Sequence, residues 1–460
     1  MADDRVGDAH DTQAPRRFVV SRLGWPDEVR YFRAMLRNYA EGALDLFRAR
    51  GDVIVTRIPD RVLGLVHPRH VRHVLRVNAV NYPKSDDYEA LRPLLGEGIF
   101  VSEGETWTRQ RRLLAPEFRA AAAPRYLPVI VRDVEAFLAE LWEPAVGGPP
   151  RDIGHDMMSL TLRVIGDAIF AEDFSRQADA IGRDLETSLA QATLRAIFGN
   201  LLYGRLPTPG NLRARRAERA IDAAVLDLIA RARASNNPSE HDVLSRLLRA
   251  RDAEGRPAID DAGLLDQVKS LLLAGHETTS LVLTWTFYLL ASHPAVLARL
   301  VDEVTTVLGA RAPEADDIPR LVYTRMVLAE TMRLYPPVPV VTRVARADDE
   351  FDGIIIKAGE KVSLLPFVTH RHQEFWPRPD DFDPERWAPG ATHEPYAYMP
   401  FLLGRRECLG EHFAILEGVV ALAMMVARYR LTRVDAGPIG SRPIMTLRLG
   451  RPLVMRIERR

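Results

Sequence analysis

The sequence predicts a mainly α-helical protein with a small β-rich region, and three observations support this fold class. Long segments, such as 211–234 and 260–292, repeat apolar residues at the spacing of an amphipathic or buried helix. Short runs of β-branched residues, such as 53–58 and 62–66, are separated by turn-forming residues and predict hairpins. The 460 residues are 47% hydrophobic and 27% charged, which is typical of a globular chain with a large core.

Charge and cysteine content exclude several classes of protein. Lysine plus arginine and aspartate plus glutamate both number 62, so no overall basic surface for nucleic acid is expected. A single cysteine cannot form an intramolecular disulfide, which suits the reducing cytoplasm. Residues 1–17 are polar and are predicted to form a flexible tail without a signal peptide or membrane anchor. We expect one domain over residues 1–460, located in the cytoplasm.

The most apolar window, residues 271–291, is about as long as a membrane span but contains Glu277. An acidic side chain at the centre of a bilayer costs about 2.5–3.5 kcal/mol. A buried helix in a protein core is therefore the better interpretation of this window.

Helices are predicted where apolar periodicity coincides with start and stop signals. Pro26, followed by two acidic residues, marks the start of the first helix, and an aspartate at 260 or 261 caps the longest one. His293 and Pro294 end that long helix. The predicted helices span 26–50, 68–77, 106–114, 124–142, 157–171, 176–197, 211–234, 260–292, 295–308 and 321–335, with one more after Gly410.

Three hairpins are predicted, each across a turn that contains Gly or Pro. They pair 53–58 with 62–66, 354–357 with 361–365, and 446–449 with 453–457. Residues 79–105 are predicted to be irregular, and a loop of that length is usually functional or disordered. Residues 198–210 contain two Pro and three Gly and separate two helices.

The only cysteine, Cys408, lies in a loop whose composition favours cofactor binding over simple burial. One sulfur cannot supply the several thiolates of a zinc knuckle or an iron–sulfur cluster, and a lone Cys is more often a small buried hydrophobic residue. Here Gly404 and Gly410 allow a large planar partner to approach the backbone, and Arg405 and Arg406 favour the thiolate. A helix begins just after the loop. One axial thiolate is the ligand set of a thiolate-bound haem.

The loop resembles the haem-binding loop of the cytochrome P450 superfamily, Phe-x-x-Gly-x-Arg/His-x-Cys-x-Gly. The matching positions are Phe401, Gly404, Arg406, Cys408 and Gly410. Leu402 departs from the family, which often has Gly or Ser there. The resemblance implies a soluble, bacterial-type member that binds haem b (iron protoporphyrin IX) through the Cys408 thiolate, with the other matching residues contacting the cofactor. It also implies the cytochrome P450 fold, in which haem lies between the long central helix and the helix after Cys408.

The middle of the long helix carries a second motif, Ala274-Gly275-His276-Glu277-Thr278-Thr279. Taken alone, it is equally compatible with a kinked core helix whose Thr hydroxyls bond backbone carbonyls. It resembles the family motif Ala-Gly-x-Asp/Glu-Thr-Thr. The resemblance implies that Ala274 and Gly275 leave room for dioxygen and substrate, that Thr278 hydrogen-bonds the dioxygen being activated, and that Glu277 helps to relay solvent protons.

Cations and apolar residues elsewhere are candidates for haem and substrate contacts. Trp107 and Arg111 are four apart on one helix face and could form an ordinary cation–aromatic surface pair. They resemble the family pattern Trp-x-x-x-Arg, which implies hydrogen bonds to a haem propionate. By the same resemblance Arg343, and more weakly Lys84, are propionate ligands. The implied substrate contacts are Phe100, Ala274, Val338 and Val341, with a last contact from the turn near 439–444.

Glu330 and Arg333, at positions i and i+3 of a predicted helix, resemble the family Glu-x-x-Arg. Such a pair on a surface would be common and weak. Together with Arg386, in a stretch that resembles the family Pro-Glu-Arg-Phe, the resemblance implies a buried structural ion triad that holds the Cys loop. Loss of Arg333 is therefore predicted to abolish haem binding and folding rather than activity alone.

The resemblance implies a haem-thiolate monooxygenase of secondary metabolism that uses dioxygen and two electrons to oxidise an apolar small molecule. A fatty acid, a terpenoid or a polyketide-like compound would all suit. Because no flavin or iron–sulfur motif is present, electrons are expected from a reductase and a ferredoxin or flavodoxin that docks near Arg405 and Arg112. The alternatives are a peroxide-driven oxygenase or isomerase, against which the Glu277–Thr278 pair argues, and a haem-based sensor, for which no output domain is visible.

Overall fold

A computed structural model describes residues 17–58, 61–171, 178–198, 204, 206–234, 242–252, 254–309 and 311–460. Almost all of the predicted tail, the turn at 59–60 and much of the break at 198–210 lie outside these ranges. The α-helices of the described residues are α1 (Trp25–Arg50), α2 (Pro68–Arg72), α3 (Arg92–Leu95), α4 (Gly104–Phe118), α5 (Leu127–Phe137), α6 (Ile153–Phe170), α7 (Ala178–Phe198), α8 (Pro209–Ala234), α9 (Val243–Arg249), α10 (Asp261–Ser292), α11 (Pro294–Leu308), α12 (Val322–Leu334), α13 (Pro366–Thr369) and α14 (Glu411–Arg428).

The strands are short and lie beside the helical body. They are β1 (Val20–Arg22), β2 (Val53–Thr56), β3 (Val62–Leu65), β4 (Arg151–Asp152), β5 (Val341–Val344), β6 (Asp349–Phe351), β7 (Ile354–Ile356), β8 (Lys361–Leu364), β9 (Tyr429–Arg433), β10 (Ser441–Ile444), β11 (Thr446–Leu449) and β12 (Val454–Arg459). Among the described residues they form one five-stranded sheet in the order β1-β2-β3-β8-β5, a three-stranded sheet β4-β12-β9, and the pairs β6-β7 and β10-β11. The prediction of a mainly α fold with a small β-rich region is confirmed.

The long helix α10 crosses the core and positions the central motif. Asp260 caps it, since its side chain accepts a hydrogen bond from the Gly263 amide. It packs along α6 and also contacts α8, α12 and α14. A Cβ on Gly275 would clash with the Ile165 side chain of α6, so a glycine is needed where these two helices approach most closely. The Thr161 hydroxyl of α6 donates to the His276 carbonyl oxygen at 2.9 Å and joins the same two helices.

Two of the three predicted hairpins are wrong in their pairing. The first is correct, because β2 and β3 are antiparallel with Val53 opposite Leu65. In the second, β7 pairs with β6, while β8 runs parallel to β3 and antiparallel to β5. In the third, β11 pairs with β10, while β12 pairs with β4 and β9. Each misassigned strand is three to six residues long; β7 and β11 form hairpins with the preceding strand instead of the following one, and β8 and β12 join sheets with more distant strands.

The prediction that residues 79–105 are irregular is only partly correct. That segment contains the 3₁₀ turns Ala79–Asn81 and Asp86–Leu91, followed by α3 and the start of α4. No single helix of the described chain is long and apolar enough to cross a membrane. The pair α10 and α11 passes that criterion only when joined across a 115° bend.

Candidate active site

The loop around Cys408 is held by backbone contacts that require its glycine. The Cys408 amide donates to the Phe401 carbonyl oxygen at 2.8 Å, which closes the loop. Gly404 has φ 77°, and a Cβ there would clash with the carbonyl oxygen of Leu75. Gly410 then caps α14 and brings its backbone next to the sulfur. The loop thus presents Cys408 at the start of a buried helix.

Leu402, the departure from the family pattern, adopts a left-handed backbone conformation with φ 58°. For a residue with a Cβ this conformation costs about 1–2 kcal/mol, whereas glycine adopts it freely. The structure therefore explains why glycine is common at this position of the family. Leu402 is half-buried and packs against the core around the five-stranded sheet, which offsets part of the strain.

The surroundings of Cys408 favour the thiol, contrary to the sequence expectation. Protein atoms surround the residue, although its side chain keeps exposed surface, and burial raises its pKa to about 11. A hydrogen bond from the Gly410 amide and the charge of Arg111 act in the opposite direction and are outweighed. The Gly410 amide and the charge of Arg111 therefore lower the pKa less than burial raises it, so a thiolate needs a further stabilising partner. A bound metal ion would supply it, because coordination removes the thiol proton.

The central motif of α10 places three of its side chains on a cavity. Ala274, Glu277 and Thr278 line a cavity of about 310 Å³. The Thr278 hydroxyl donates to the Ala274 carbonyl oxygen at 2.7 Å within the helix. Gly275 does not reach the cavity, since its missing side chain makes room for α6 rather than for a ligand.

Glu277 is buried and lies in a polar contact that the sequence analysis missed. Its Oε1 accepts hydrogen bonds from the Thr446 hydroxyl at 2.6 Å and from Arg448 Nε at 2.9 Å. Both partners are on β11, about 170 residues further along the chain. No local pattern connects these positions, and an arginine in a β-rich run near the C-terminus was the only signal that could have drawn attention to them.

Two of the four predicted substrate contacts line the cavity beside Ala274, and one does not. Phe100 and Val338 are among the lining residues. Val341 is buried in the core of the five-stranded sheet, and Val340 lines the cavity instead. Because side chains alternate between the faces of a strand, a shift of one residue moves a side chain from the cavity to the core.

Other parts of the cavity wall come from segments in which no individual lining residue was predicted. Helix α1, helix α7 and the turn between β10 and β11 all contribute. The turn residue is Met445, one position beyond the predicted segment 439–444. The additional lining side chains include Tyr31, Met35, Tyr39, Leu189, Thr193, Met445 and Thr446.

A second cavity, of about 290 Å³, collects predicted haem ligands. Trp107, Arg343 and Arg406 line it, with Glu103 as an acidic neighbour that pairs with Arg406. Arg406 Nη1 is buried and has no hydrogen-bond partner among the residues that the structure describes. A buried, unpaired guanidinium nitrogen is costly and calls for a carboxylate or another acceptor. These donors therefore fit the carboxylate groups of the haem propionates.

Lys84 lies with these cations, whereas Arg111 does not line the cavity, although its guanidinium lies 5.6 Å from the centre of the Trp107 ring. Lys84 forms an isolated β-bridge with Arg343, and burial and the charge of Arg406 lower its pKa to about 7. Its ammonium group donates to the carbonyl oxygens of Ile99 and Ser102. Arg111 instead donates to the Glu407 carbonyl oxygen at 2.9 Å, beside the Cys loop.

The structure brings Glu330, Arg333 and Arg386 together. Arg333 binds both carboxylate oxygens of Glu330 at 2.8 Å, and both side chains are completely buried. Arg386 Nε lies 3.2 Å from the same carboxylate. Arg333 also donates to the His370 carbonyl oxygen, and the His370 ring accepts the Met399 amide, two residues before the Cys loop begins. The ion triad is thereby linked to that loop.

Fold and site together combine a single cysteine in a glycine-shaped loop before α14 with a Thr-bearing cavity along α10, and these are elements of the haem-thiolate class. A family model described as Cytochrome P450 matches residues 51–451. The chain is 37% identical to cyclooctatin synthase of Streptomyces melanosporofaciens, over 88% of each chain. It is 34% identical to cyclooctat-9-en-7-ol 5-monooxygenase of the same organism, over 83% of each chain.

A third relative is pentalenene oxygenase of Streptomyces avermitilis, which is 32% identical over 84% of this chain and 85% of the relative. The chain belongs to the cytochrome P450 family. It is a haem-thiolate monooxygenase whose cofactor is haem with an axial cysteine thiolate, and Cys408 lies in the expected region. The prediction of a bacterial-type family member is confirmed, as is the prediction of haem as cofactor.

Proposed function

We propose that this enzyme oxidises a terpenoid that carries few polar groups, with Cys408 as the haem ligand and Thr278 and Glu277 as the proton-delivering residues. The observation that carries the proposal is the placement of Ala274, Glu277 and Thr278 on one mainly apolar cavity. When bound, haem with a thiolate ligand activates dioxygen and transfers one oxygen atom to the substrate. Trp107, Arg343, Arg406 and Lys84 would hold the haem propionates, with Arg111 beside the Cys loop.

Thr278 and Glu277 have the geometry for proton delivery. The Thr278 hydroxyl bonds a carbonyl of its own helix and can rotate to donate into the cavity that it lines. Glu277 can hold a proton one residue away, since its Oε2 is buried and has no partner in the described part of the chain. A positioned proton donor contributes about 10²–10⁴-fold to a rate. The rotatable hydroxyl of Thr278 and the unpartnered Oε2 of Glu277 support a role for the pair in which Glu277 supplies protons and Thr278 delivers them.

Replacing the Thr278 hydroxyl tests this role. In Thr278→Ala the fraction of oxidised reductant that yields product should fall several-fold, with hydrogen peroxide formed instead, while Thr278→Ser should retain the wild-type ratio. Product and peroxide would both be measured per reductant consumed. An unchanged ratio in Thr278→Ala would contradict the assignment.

Cavity size and lining support a small, mostly apolar substrate. A volume of about 310 Å³ lies at the lower end of the range for ligand pockets, about 300–1,000 Å³. Two relatives act, by their names, on cyclooctat-9-en-7-ol and on pentalenene. Within the three classes that the sequence allowed, these names favour a terpenoid over a fatty acid or a polyketide.

A pair of hydroxyls on the cavity wall supports a substrate with one oxygen function. Thr342 of β5 and Ser363 of β8 are directly opposite each other, and their side-chain oxygens are 3.2 Å apart. Both line the cavity, on the sheet face that also presents Val340. Two adjacent hydroxyls in an apolar wall can donate to and accept from one alcohol or carbonyl group.

Spectral titration of the haem with a terpenoid alcohol and its parent hydrocarbon tests the substrate class. Thr342→Val should weaken binding of the alcohol by up to about tenfold, the value of one neutral hydrogen bond, and leave the hydrocarbon unaffected. Thr193→Val is the matched control, since Thr193 also lines the cavity but its hydroxyl donates to Leu189. Equal loss for both ligands, or tight binding of fatty acids alone, would contradict the proposal.

We infer that electrons arrive from a separate acidic ferredoxin or flavodoxin at the surface near Arg405 and Arg112, both of which are exposed. Arg405→Glu combined with Arg112→Glu should slow reduction several-fold at low salt and less at high salt, because surface charges act mainly on association. Arg256→Glu, a reversal of an exposed arginine outside this patch, is the control. Equal rates for all three proteins would exclude this docking site.

The peroxide-driven alternative is distinguished by supplying either peroxide or a reductant with dioxygen. Turnover with peroxide but none with a reductant and dioxygen would contradict the dioxygen route, and any product formation excludes a sensor as the sole function. A cytoplasmic location stays a prediction.

A further inference from the structure

The carboxylate of Glu277 is held entirely through one of its two oxygens. Thr446 and Arg448 Nε both donate to Oε1, and Arg448 Nη2 lies 2.7 Å from the same atom. Oε2 is buried and has no hydrogen-bond partner within the described residues. A buried carboxylate normally uses both oxygens, because an unpaired buried acceptor is costly. This one-sided contact therefore needs an explanation.

Arg448 is itself shared between two carboxylates on different helices. Its Nη1 lies 3.2 Å from Oε1 of Glu186, whose side chain is about half exposed. Glu186 is on α7, three and seven residues before the cavity-lining Leu189 and Thr193, and so lies on the same helix face. Arg448 thus occupies the junction of α7, α10 and β11, with its side chain 11% exposed.

We propose that Arg448 is a positioning residue for proton delivery: it fixes Oε1 of Glu277 so that Oε2 alone takes up and releases the proton. This inference rests on the proposed role of Glu277. The carboxylate gains a proton at Oε2 and passes it on, which returns it to the ionised form that Arg448 pairs with. The hydrogen bonds from Arg448 Nε and the Thr446 hydroxyl to the same oxygen oppose an exchange of the two carboxylate oxygens.

The contact geometry favours Arg over Lys for this purpose. A guanidinium presents several donors in a fixed plane, so Arg448 hydrogen-bonds Oε1 through Nε, places Nη2 2.7 Å from the same atom, and reaches Glu186 through Nη1. A lysine ammonium would keep the positive charge but contact a single point. Arg448→Lys should therefore keep the positive charge beside a mobile Glu277 carboxylate, and Arg448→Gln should lose both the charge and the fixed position.

The test compares Arg448→Gln, Arg448→Lys, Glu277→Gln and the double variant Arg448→Gln/Glu277→Gln. Each purified holoenzyme is checked for its ferrous carbonyl spectrum and for substrate affinity by spectral titration. Product formed per reductant consumed and the solvent deuterium isotope effect on turnover are then measured. Arg442→Gln is the matched control, because Arg442 lies opposite Arg448 on β10 but is exposed.

We expect Arg448→Gln to lower coupled turnover about tenfold or more, as part of the 10²–10⁴-fold value of a positioned proton donor, with substrate affinity changed less than twofold. Arg448→Lys should recover part of the loss, and Arg442→Gln should behave as wild type. In the Glu277→Gln background, removal of Arg448 should cause no further loss, because it acts through Glu277.

The inference is overturned if Arg448→Gln keeps wild-type coupling while Glu277→Gln loses it, or if the two losses multiply in the double variant. Wild-type coupling in Glu277→Gln would instead overturn the proposed function of Glu277 itself. If Arg448→Gln does not bind haem, Arg448→Lys is compared with the wild type instead. An increased solvent isotope effect with unchanged substrate affinity then supports the inference, and an unchanged isotope effect overturns it.

Discussion

Removing Arg333 should unfold the haem site rather than merely slow the enzyme. The side chain is completely buried and donates to both oxygens of Glu330. It also donates to three backbone carbonyl oxygens, those of His370, Pro379 and Asp381, at 2.7–2.9 Å. Arg333→Ala therefore leaves a buried carboxylate and three carbonyl groups without their main donor.

The expected cost follows from these contacts. Breaking a buried ion pair by removing one partner costs about 3–5 kcal/mol. Glu330 keeps Arg386, the Trp387 indole and the Asp383 amide, which limits this part of the loss. Each orphaned carbonyl group that stays buried and unpaired costs about 1–3 kcal/mol more. Against a total stability of about 5–15 kcal/mol, the variant should lie near or below its folding threshold.

Chemical denaturation with haem absorbance as the probe measures this loss. The midpoint should shift strongly for Arg333→Ala, with a smaller shift for Arg333→Lys, which keeps the charge but fewer donors. Arg299→Ala is the control, because Arg299 pairs with Glu385 on the surface, where about half of each side chain is exposed. An exposed pair contributes about 0–1 kcal/mol.

A folded, haem-replete Arg333→Ala protein with a near wild-type midpoint would refute this reasoning. Loss of activity alone, with stability and haem content unchanged, would do so equally. In that case the triad would not carry the structural link between α12 and the Cys loop.

Three further outcomes are expected. Gly275→Ala should destabilise the fold by about 1–3 kcal/mol through a clash with Ile165, and a second change, Ile165→Val, should recover part of the unfolding free energy. Gly404→Ala should lower the haem-replete fraction through its φ of 77° and a clash with a neighbouring backbone oxygen, whereas Gly359→Ala, at φ 84° in open space, should lose stability without losing haem. Burial and the charge of Arg448 lower the pKa of His276 to about 4. Between pH 6.5 and 4 the unfolded chain binds more protons than the folded one, so the free energy of unfolding should decrease as the pH is lowered through that window. In His276→Gln, denaturation measured over the same window should show a decrease that is smaller by up to about 3 kcal/mol.

The sequence by itself determined the chemical identity of the site. Cys408 is unique, its loop is local, and the glycines that shape it lie within a few residues. The same is true of the Ala274–Thr279 motif and of Glu330 with Arg333, since one helix places residues three or four apart on one face. Interactions of this kind need no long-range contact, so motif and geometry agree.

Only the tertiary structure determined which strands pair, which side chains face the cavity and which distant residues contact these motifs. The partners of β7, β8, β11 and β12 were mispredicted. β7 and β11 pair with the strands that precede them, β6 and β10, whereas β8 joins β3 and β5 and β12 joins β4 and β9. The composition of a short strand does not tell which of its possible neighbours it will pair with. Whether Val340 or Val341 faces the cavity depends on how β5 sits in its sheet. Arg448 meets Glu277 only after about 170 intervening residues have folded. Burial around Cys408 raises its pKa against the local charges, because desolvation depends on the whole fold, which a linear sequence does not display.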